Sequence, residues 1–162
     1  MTHPRTGLII ATLVGAANTV KFTPLRRIHQ MPHITVEYSA NLDAKIRIDS
    51  FLKALHEAAV ATGVADIAGF RTRAERRDNY RIADNDPANG FIAITMRVAR
   101  GRSPEQLKSL LDSMSAAAMT YLEPVFATTP ISFSLEIQEI IPEMRVNTGN
   151  IRNWMKTRET AA

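Results

Sequence analysis

The amino-acid sequence predicts a single α+β domain, a duplicated β-α-β fold whose four-stranded sheet carries two helices on one face. Apolar and polar residues alternate at positions 33–38, 91–98 and 131–140, which is the pattern of half-buried strands. Apolar residues at helical spacing follow the first two of these runs. The segments 33–61 and 91–119 thus repeat the order strand, loop, amphipathic helix at an offset of about 58 residues, which indicates an internal duplication.

The first unit consists of the strand 33–38, a helix and a second extended segment. Asp49 or Ser50 is the candidate N-cap of the helix, because a short polar side chain can accept a hydrogen bond from the first turn. The helix is predicted to run to about Ala61. It ends before Gly63, since glycine readily adopts the left-handed conformation found after helices.

Basic residues alternate along the second extended segment, 67–77. Arg71, Arg73 and Glu75 are two residues apart, so they share one face of the predicted strand. Taken alone, such a charge run indicates a solvated sheet edge with salt bridges among its own residues. Turn-forming residues at 84–90 then separate the two units.

The second unit has the clearest helix start in the chain. Ser103 is a good N-cap, Pro104 suits the first helical position, and Gln106 completes a capping box. The helix continues toward Pro124, and the alternating run at 131–140 predicts the fourth strand. Residues 141–156 are expected to form a C-terminal arm or hairpin that ends in a short helix.

Two helices on one face leave the other face of the sheet uncovered. We expect this second face to be apolar, because the fourth strand carries many apolar residues. An uncovered apolar face is usually hidden by self-association, so the pattern predicts an oligomer.

The first thirty residues differ in charge from the remainder. They contain four of the 20 basic residues and no acidic residue, so residues 31–162 hold 16 basic and 16 acidic side chains. The formal net charge of +4 therefore belongs to this leader. The high isoelectric point does not indicate a nucleic-acid-binding face on the folded body.

Three interpretations of residues 1–30 stay open. The apolar stretch 7–17 resembles a short signal h-region, although it is too short to span a bilayer. The leader is alternatively a genuine extension, or upstream sequence translated from an early start codon. We expect it to lie outside the fold, with 31–162 forming the domain. The chain has no cysteine, which excludes thiolate catalysis and fits a cytoplasmic protein.

Pro32 has two possible chemical identities. As an internal residue it is a strand-entry proline, whose missing N–H costs the sheet nothing. If Met31 is the true initiator and is removed, Pro32 becomes the amino terminus and its nitrogen is a secondary amine. An amine can act as a base, whereas the amide nitrogen of an internal proline cannot.

Five short motifs carry a resemblance to a known family. They are MPHITVEYS at 31–39, ATG at 61–63, GFRTR at 69–73, GRS at 101–103 and SFSLEI at 132–137. In order and spacing they are similar to 5-carboxymethyl-2-hydroxymuconate isomerase, of the tautomerase superfamily. The resemblance covers about residues 31–156, and the chain departs from it in the thirty residues before the proline.

The resemblance implies a tautomerase-like fold, a homotrimer and an enzyme that moves a proton between carbons of an unsaturated 2-hydroxy or 2-oxo acid. It implies Pro32 as the amino-terminal base, with Arg71 and Arg102 acting on a small acidic substrate. Such chemistry requires no metal or organic cofactor, and it implies no nucleic-acid or membrane partner. The alternative is a non-catalytic module of the same fold that binds carboxylates or assembles, with Pro32 blocked by the leader.

Overall fold

The computed structural model describes residues 31–161, so the predictions for residues 1–30 lie outside the described part. The seven regular elements are β1 (His33–Ser39), α1 (Ile48–Ala61), β2 (Arg71–Arg77), β3 (Gly90–Ala99), α2 (Pro104–Phe126), β4 (Ile131–Ile140) and α3 (Ile151–Thr160). Single 3₁₀ turns lie at Ala40–Leu42, Ile67–Gly69 and Pro142–Met144. The predicted C-terminal arm therefore exists, and it ends in the helix α3.

The strand order β2-β1-β3-β4 confirms the duplicated β-α-β architecture. β1 pairs with β2 in parallel, and β3 pairs with β4 in parallel, as expected for strands joined by a crossover helix. The two units meet where β1 and β3 pair antiparallel at the centre of the sheet. The edges of the sheet are therefore β2 and β4.

The core lies between the sheet and the two long helices. β1 contributes Ile34 and Val36, and β3 contributes Ile92, Ile94 and Met96, all of them buried. The helices supply the remaining large buried side chains, among them Phe51, Leu55, Leu110, Met114 and Leu122. These residues recur every three or four positions, which is the spacing that places one stripe of each helix on the sheet.

The starts of the two helices differ in how well the sequence predicts them. The Ser103 hydroxyl accepts from the Gln106 N–H, and the Ser103 N–H donates to Gln106 Oε1, so the predicted capping box is present. α1 instead begins at Ile48 after Arg47, and the predicted cap at Asp49 or Ser50 is wrong. The Arg47 carbonyl accepts from the Tyr121 hydroxyl at 2.8 Å, so α2 fixes this end of α1.

The second extended segment is shorter than predicted. Residues Ile67–Gly69 form a 3₁₀ turn, and the strand begins only at Arg71. The Asp66 carboxylate accepts from the Ala68 N–H at 2.9 Å, which favours a turn over an extended backbone at this point. Pro124, expected near the end of its helix, lies inside α2, two residues before the helix ends.

The uncovered face of the sheet is polar, so the prediction of an apolar second face is wrong. Strand register places mostly polar side chains on it, and Phe91, Ala93, Ala99 and Ile140 are its apolar members. The polar ones include His33, Thr35, Glu37, Arg71, Arg73, Glu75, Arg77, Thr95, Arg97, Ser132, Ser134, Glu136 and Gln138. Three apolar residues of β4, Phe133, Leu135 and Ile137, pack against the core instead. An ion pair of 3.0 Å between Arg77 and Glu37 spans two strands of this face. Within residues 31–161, no helix combines the length and apolar character needed to cross a membrane.

Candidate functional site

Pro32 and Arg71 lie together at one end of the sheet. β1 and β2 are parallel, so their first residues lie at the same end of the sheet, and His33 is in register with Arg71. The Arg71 N–H donates to the Pro32 carbonyl at 3.0 Å. The Arg71 guanidinium donates to the Gly69 carbonyl at 3.0 Å. Two of the three residues named from the sequence are therefore neighbours.

β3 and the C-terminal arm bring two further arginines to the same end. β3 runs antiparallel to β1, which places Arg97 opposite His33. A cavity of about 160 Å³ lies here, and its lining includes Arg97, Arg145 and Asn147. Met31 and His33, the two residues that flank Pro32 in the chain, also line it, together with Ile140 and Val146. Pro32 itself is buried and does not line the cavity, so its two chain neighbours connect it to this space.

Positive charge dominates this end of the sheet. Burial lowers the pKa of His33, and the guanidinium groups of Arg71, Arg73, Arg97 and Arg145 lower it further. Both effects favour the neutral imidazole, because a second positive charge is costly where cations already surround the ring.

Arg102 lies in the connection between β3 and α2. Its guanidinium donates to the carbonyl of Ala99 and, at 3.1 Å, to the carbonyl of Val64. Burial is the main cause of its lowered pKa; Glu139 opposes the shift and Arg145 adds to it. Arg102 thus ties the end of β3 to the loop after α1. Arg145 acts electrostatically on both Arg102 and His33, so it connects the two parts of the site.

The loop between α1 and β2 supports both predicted arginines. Arg71 bonds to the carbonyl of Gly69, and Arg102 bonds to that of Val64, in the same connection. Asp66 holds this loop to the C-terminal helix through an ion pair of 3.0 Å with Arg152. The arm therefore contributes to the position of the site as well as to its lining.

Arg97 and Arg145 are not among the site residues predicted from the sequence. Arg97 is separated from residues 91, 93 and 95 by an even number of positions. The alternation of side chains along a strand therefore places all four on the same, uncovered face. Its position opposite His33 depends on the antiparallel register of β1 and β3, which no local pattern specifies. Arg145 follows the turn Pro142–Met144 in an irregular segment, where periodicity gives no signal.

Arg73 of β2 forms a local salt bridge in addition to its electrostatic effect on His33. Arg73 lies 3.7 Å from Glu75, and both side chains are more than one-third exposed. Such exposed pairs contribute little to stability. For Arg73, the interpretation as a solvated sheet edge with local salt bridges is therefore confirmed.

Comparison with known proteins agrees with this architecture. A solved structure of a 5-carboxymethyl-2-hydroxymuconate isomerase from Deinococcus radiodurans R1 is 29% identical with a TM-score of 0.73, over 78% of this chain and 96% of that one. The Escherichia coli 5-carboxymethyl-2-hydroxymuconate Delta-isomerase is 24% identical over 126 residues, 78% of this chain and all of the relative. A fused 4-OT protein described as a symmetric trimer shares the fold at a TM-score of 0.52 and 17% identity, over 73% of this chain and 92% of that one.

The family model described as 5-carboxymethyl-2-hydroxymuconate isomerase matches residues 32–155, which is most of the chain and begins at Pro32 itself. The tautomerase-like fold and the isomerase family expected from the five motifs are therefore confirmed. This protein belongs to the 5-carboxymethyl-2-hydroxymuconate isomerase family.

Proposed function

We propose that this protein is a cofactor-free isomerase of unsaturated 2-hydroxy or 2-oxo acids, with Pro32 as its amino-terminal base. The observation that carries the proposal is the position of Pro32. It lies directly before β1, its carbonyl accepts from the Arg71 N–H, and its chain neighbours Met31 and His33 line a cavity together with Arg97 and Arg145. The family match that begins at the same residue supports Pro32 as the first residue of the functional protein. Residues 1–30 are then a leader that is absent from the active form.

The cationic surroundings suit a secondary amine to this task. A general base works best when its pKa lies near the working pH, and a terminal amine begins near 8. The guanidinium groups that lower the pKa of His33 also favour the neutral form of an amine on the preceding residue. We therefore propose that the Pro32 amine meets the substrate in its neutral, basic form.

The reaction is a proton transfer between two carbons of the substrate. The Pro32 amine removes a proton from the carbon next to the carbonyl, and the electrons of that C–H bond pass into a dienolate. The ammonium then returns the proton to a different carbon, which restores the amine. Arg71 binds the substrate carboxylate through its planar fork. Arg102 stabilises the negative oxygen of the dienolate.

We also propose that the protein works as a homotrimer. Within residues 31–161, the C-terminal arm exposes several apolar side chains: Trp154 is 60% exposed, Met144 80% and Val146 97%. Both sheet edges, β2 and β4, are also available to another chain. The trimer described for the fused 4-OT relative shows that the fold supports such an assembly.

The proposed reaction is tested with protein that begins at Pro32, with the terminus confirmed by intact mass. 2-Hydroxymuconate is already the dienol, so the Pro32 amine takes the proton of its 2-hydroxyl group, and the resulting dienolate receives a proton at carbon. In D₂O the ultraviolet absorbance should move from that of the dienol to that of the ketone. Proton spectra should show deuterium at one carbon. The Arg71→Ala variant should turn over far more slowly. Turnover equal to the buffer rate would overturn the proposal and leave the carboxylate-binding module as the better description.

A further inference from the structure

His56 is a titratable residue of α1 that takes no part in the proton transfer proposed above. Its side chain is half-buried, and the imidazole Nδ1 lies 2.8 Å from the hydroxyl oxygen of Thr72. The same ring packs edge-on against the buried ring of Phe70, with the two ring centres 5.8 Å apart. His56 therefore contacts both the residue before β2 and a residue within it.

These two contacts lie on either side of Arg71 in the chain. Thr72 is in register with the core residue Ile34, so its side chain faces the helices. Side chains alternate across a strand, which places Arg71 on the opposite, uncovered face of the sheet. His56 thus holds both chain neighbours of Arg71 from the side of the sheet that the substrate does not reach.

The position of Arg71 depends on the backbone of this segment. Its N–H donates to the Pro32 carbonyl, and its guanidinium donates to the Gly69 carbonyl, both at 3.0 Å. A displacement of residues 70–72 would therefore move Arg71 relative to Pro32. A guanidinium binds a carboxylate through two parallel hydrogen bonds, so a small change in its position weakens binding.

The two kinds of contact that His56 makes differ in what they fix. Packing against Phe70 is apolar and has little directional preference. The hydrogen bond to Thr72 is directional, so it fixes the place of the strand relative to α1 as well as its distance. An apolar side chain at position 56 could supply the packing but not this hydrogen bond.

We propose that His56 is a positioning residue, which acts through Thr72 and Phe70 to hold Arg71 where it meets the carboxylate of a substrate at Pro32. The inference rests on the proposed function, since it takes Arg71 as the residue that binds the carboxylate. Loss of His56 should therefore weaken binding of the acid more than it slows the reaction of the acid once bound.

The test separates binding from turnover in protein that begins at Pro32. His56→Ala should raise KM for 2-hydroxymuconate about three- to tenfold, the effect of one lost hydrogen bond, and should leave kcat within about twofold. Thr72→Val keeps the shape of the side chain, removes only the hydroxyl, and should raise KM similarly. His56→Asn should restore most of the lost affinity, because its amide offers a hydrogen-bonding atom near the position of Nδ1.

Ser113→Ala is the matched control for a purely structural effect. The Ser113 hydroxyl donates to the Ala58 carbonyl of α1 at 3.1 Å, so this variant also removes a hydrogen bond of α1, but one made to α2. We expect Ser113→Ala and His56→Ala each to lower the melting temperature by about 2–6 °C. Only His56→Ala should raise KM.

A second readout measures binding without turnover. Sorbate is a dienoic acid with one carboxylate and no 2-hydroxyl group, and calorimetric titration gives its affinity directly. His56→Ala should weaken sorbate binding about three- to tenfold in the parent and have no further effect in the Arg71→Ala variant, because the two changes remove the same interaction.

The outcomes distinguish this inference from the proposed function. Unchanged KM and sorbate affinity in both His56→Ala and Thr72→Val would overturn the positioning role, and so would an equal loss of sorbate affinity with and without Arg71. A rise in KM in Ser113→Ala as large as that in His56→Ala would also overturn it. The expected sorbate results without any turnover of 2-hydroxymuconate would instead refute the reaction and support the role of His56.

Discussion

Replacing Arg102 with alanine should lower both stability and activity, which distinguishes it from Arg71. The Arg102 guanidinium donates to the carbonyls of Ala99 and Val64, and the second bond joins positions 38 residues apart. A hydrogen bond from a charged donor contributes about 1.5–3 kcal/mol when well buried. Because Arg102 is only partly buried, we expect the two bonds together to contribute about 1–3 kcal/mol to the free energy of unfolding.

Arg71 offers a matched comparison on the same loop. Its side chain bonds to the carbonyl of Gly69, only two residues away, so little tertiary structure depends on it. Arg71→Ala should change the free energy of unfolding by less than about 0.5 kcal/mol, as surface substitutions usually do. Both arginines are proposed to act on the substrate, but only Arg102 joins distant parts of the chain, so only its loss should lower the free energy of unfolding appreciably.

The assay measures urea unfolding and thermal melting, both monitored by the fluorescence of Trp154, and turnover of 2-hydroxymuconate. Arg102→Ala should lower the melting temperature by about 4 °C for each kcal/mol lost and should also reduce turnover. Arg102→Lys keeps the charge and should recover part of both. An Arg102→Ala protein as stable as the parent would show that the two carbonyl contacts contribute nothing, and the reasoning would fail.

Three further results are expected. Gly90→Ala should lower the free energy of unfolding in urea by about 1–3 kcal/mol, because the new Cβ would lie 2.8 Å from Cδ2 of the buried Leu42. An unchanged free energy would refute this close approach. His33 has a lowered pKa in the fold, so its contribution to stability is present above the unfolded pKa of about 6.5 and is lost as pH falls below it. Urea unfolding between pH 7 and pH 5 should show this loss in the parent, and His33→Asn should reduce the slope. Light scattering should give the mass of a trimer at micromolar concentration, whereas a folded monomer would contradict that assembly.

The strands and the second helix could be predicted from the sequence because their signals are local. Alternation along 131–140 and the capping box at Ser103 each lie within a few residues, and the structure contains both. α1 begins earlier than predicted. The carbonyl of Arg47, directly before the helix, accepts from the Tyr121 hydroxyl on α2, and no local sequence pattern encodes this contact. Such contacts override the preference of a single capping residue.

The same distinction applies to the candidate site. Contacts implied by the strand order could be predicted, and contacts that depend on register between the two units could not. Pro32 and Arg71 are neighbours because parallel strands begin at the same end of the sheet, which the β-α-β order already implies. Arg97 and Arg145 escaped prediction because their positions depend on the register between the two units and on an irregular arm. The largely polar uncovered face also follows from register, since Phe133, Leu135 and Ile137 of β4 pack against the core.

The central claim is that Pro32 acts as a base only when it is the amino terminus. In the 162-residue chain its nitrogen is bonded to the carbonyl of Met31, and resonance with that carbonyl removes the lone pair from proton transfer. A general base typically contributes about 10²–10⁴ in rate. The decisive measurement compares turnover of 2-hydroxymuconate by the intact long chain and by protein that begins at Pro32, after mass spectrometry of each terminus. We predict that the shorter protein is faster by about that factor. Equal activity in an intact long chain would show that Pro32 is not the base.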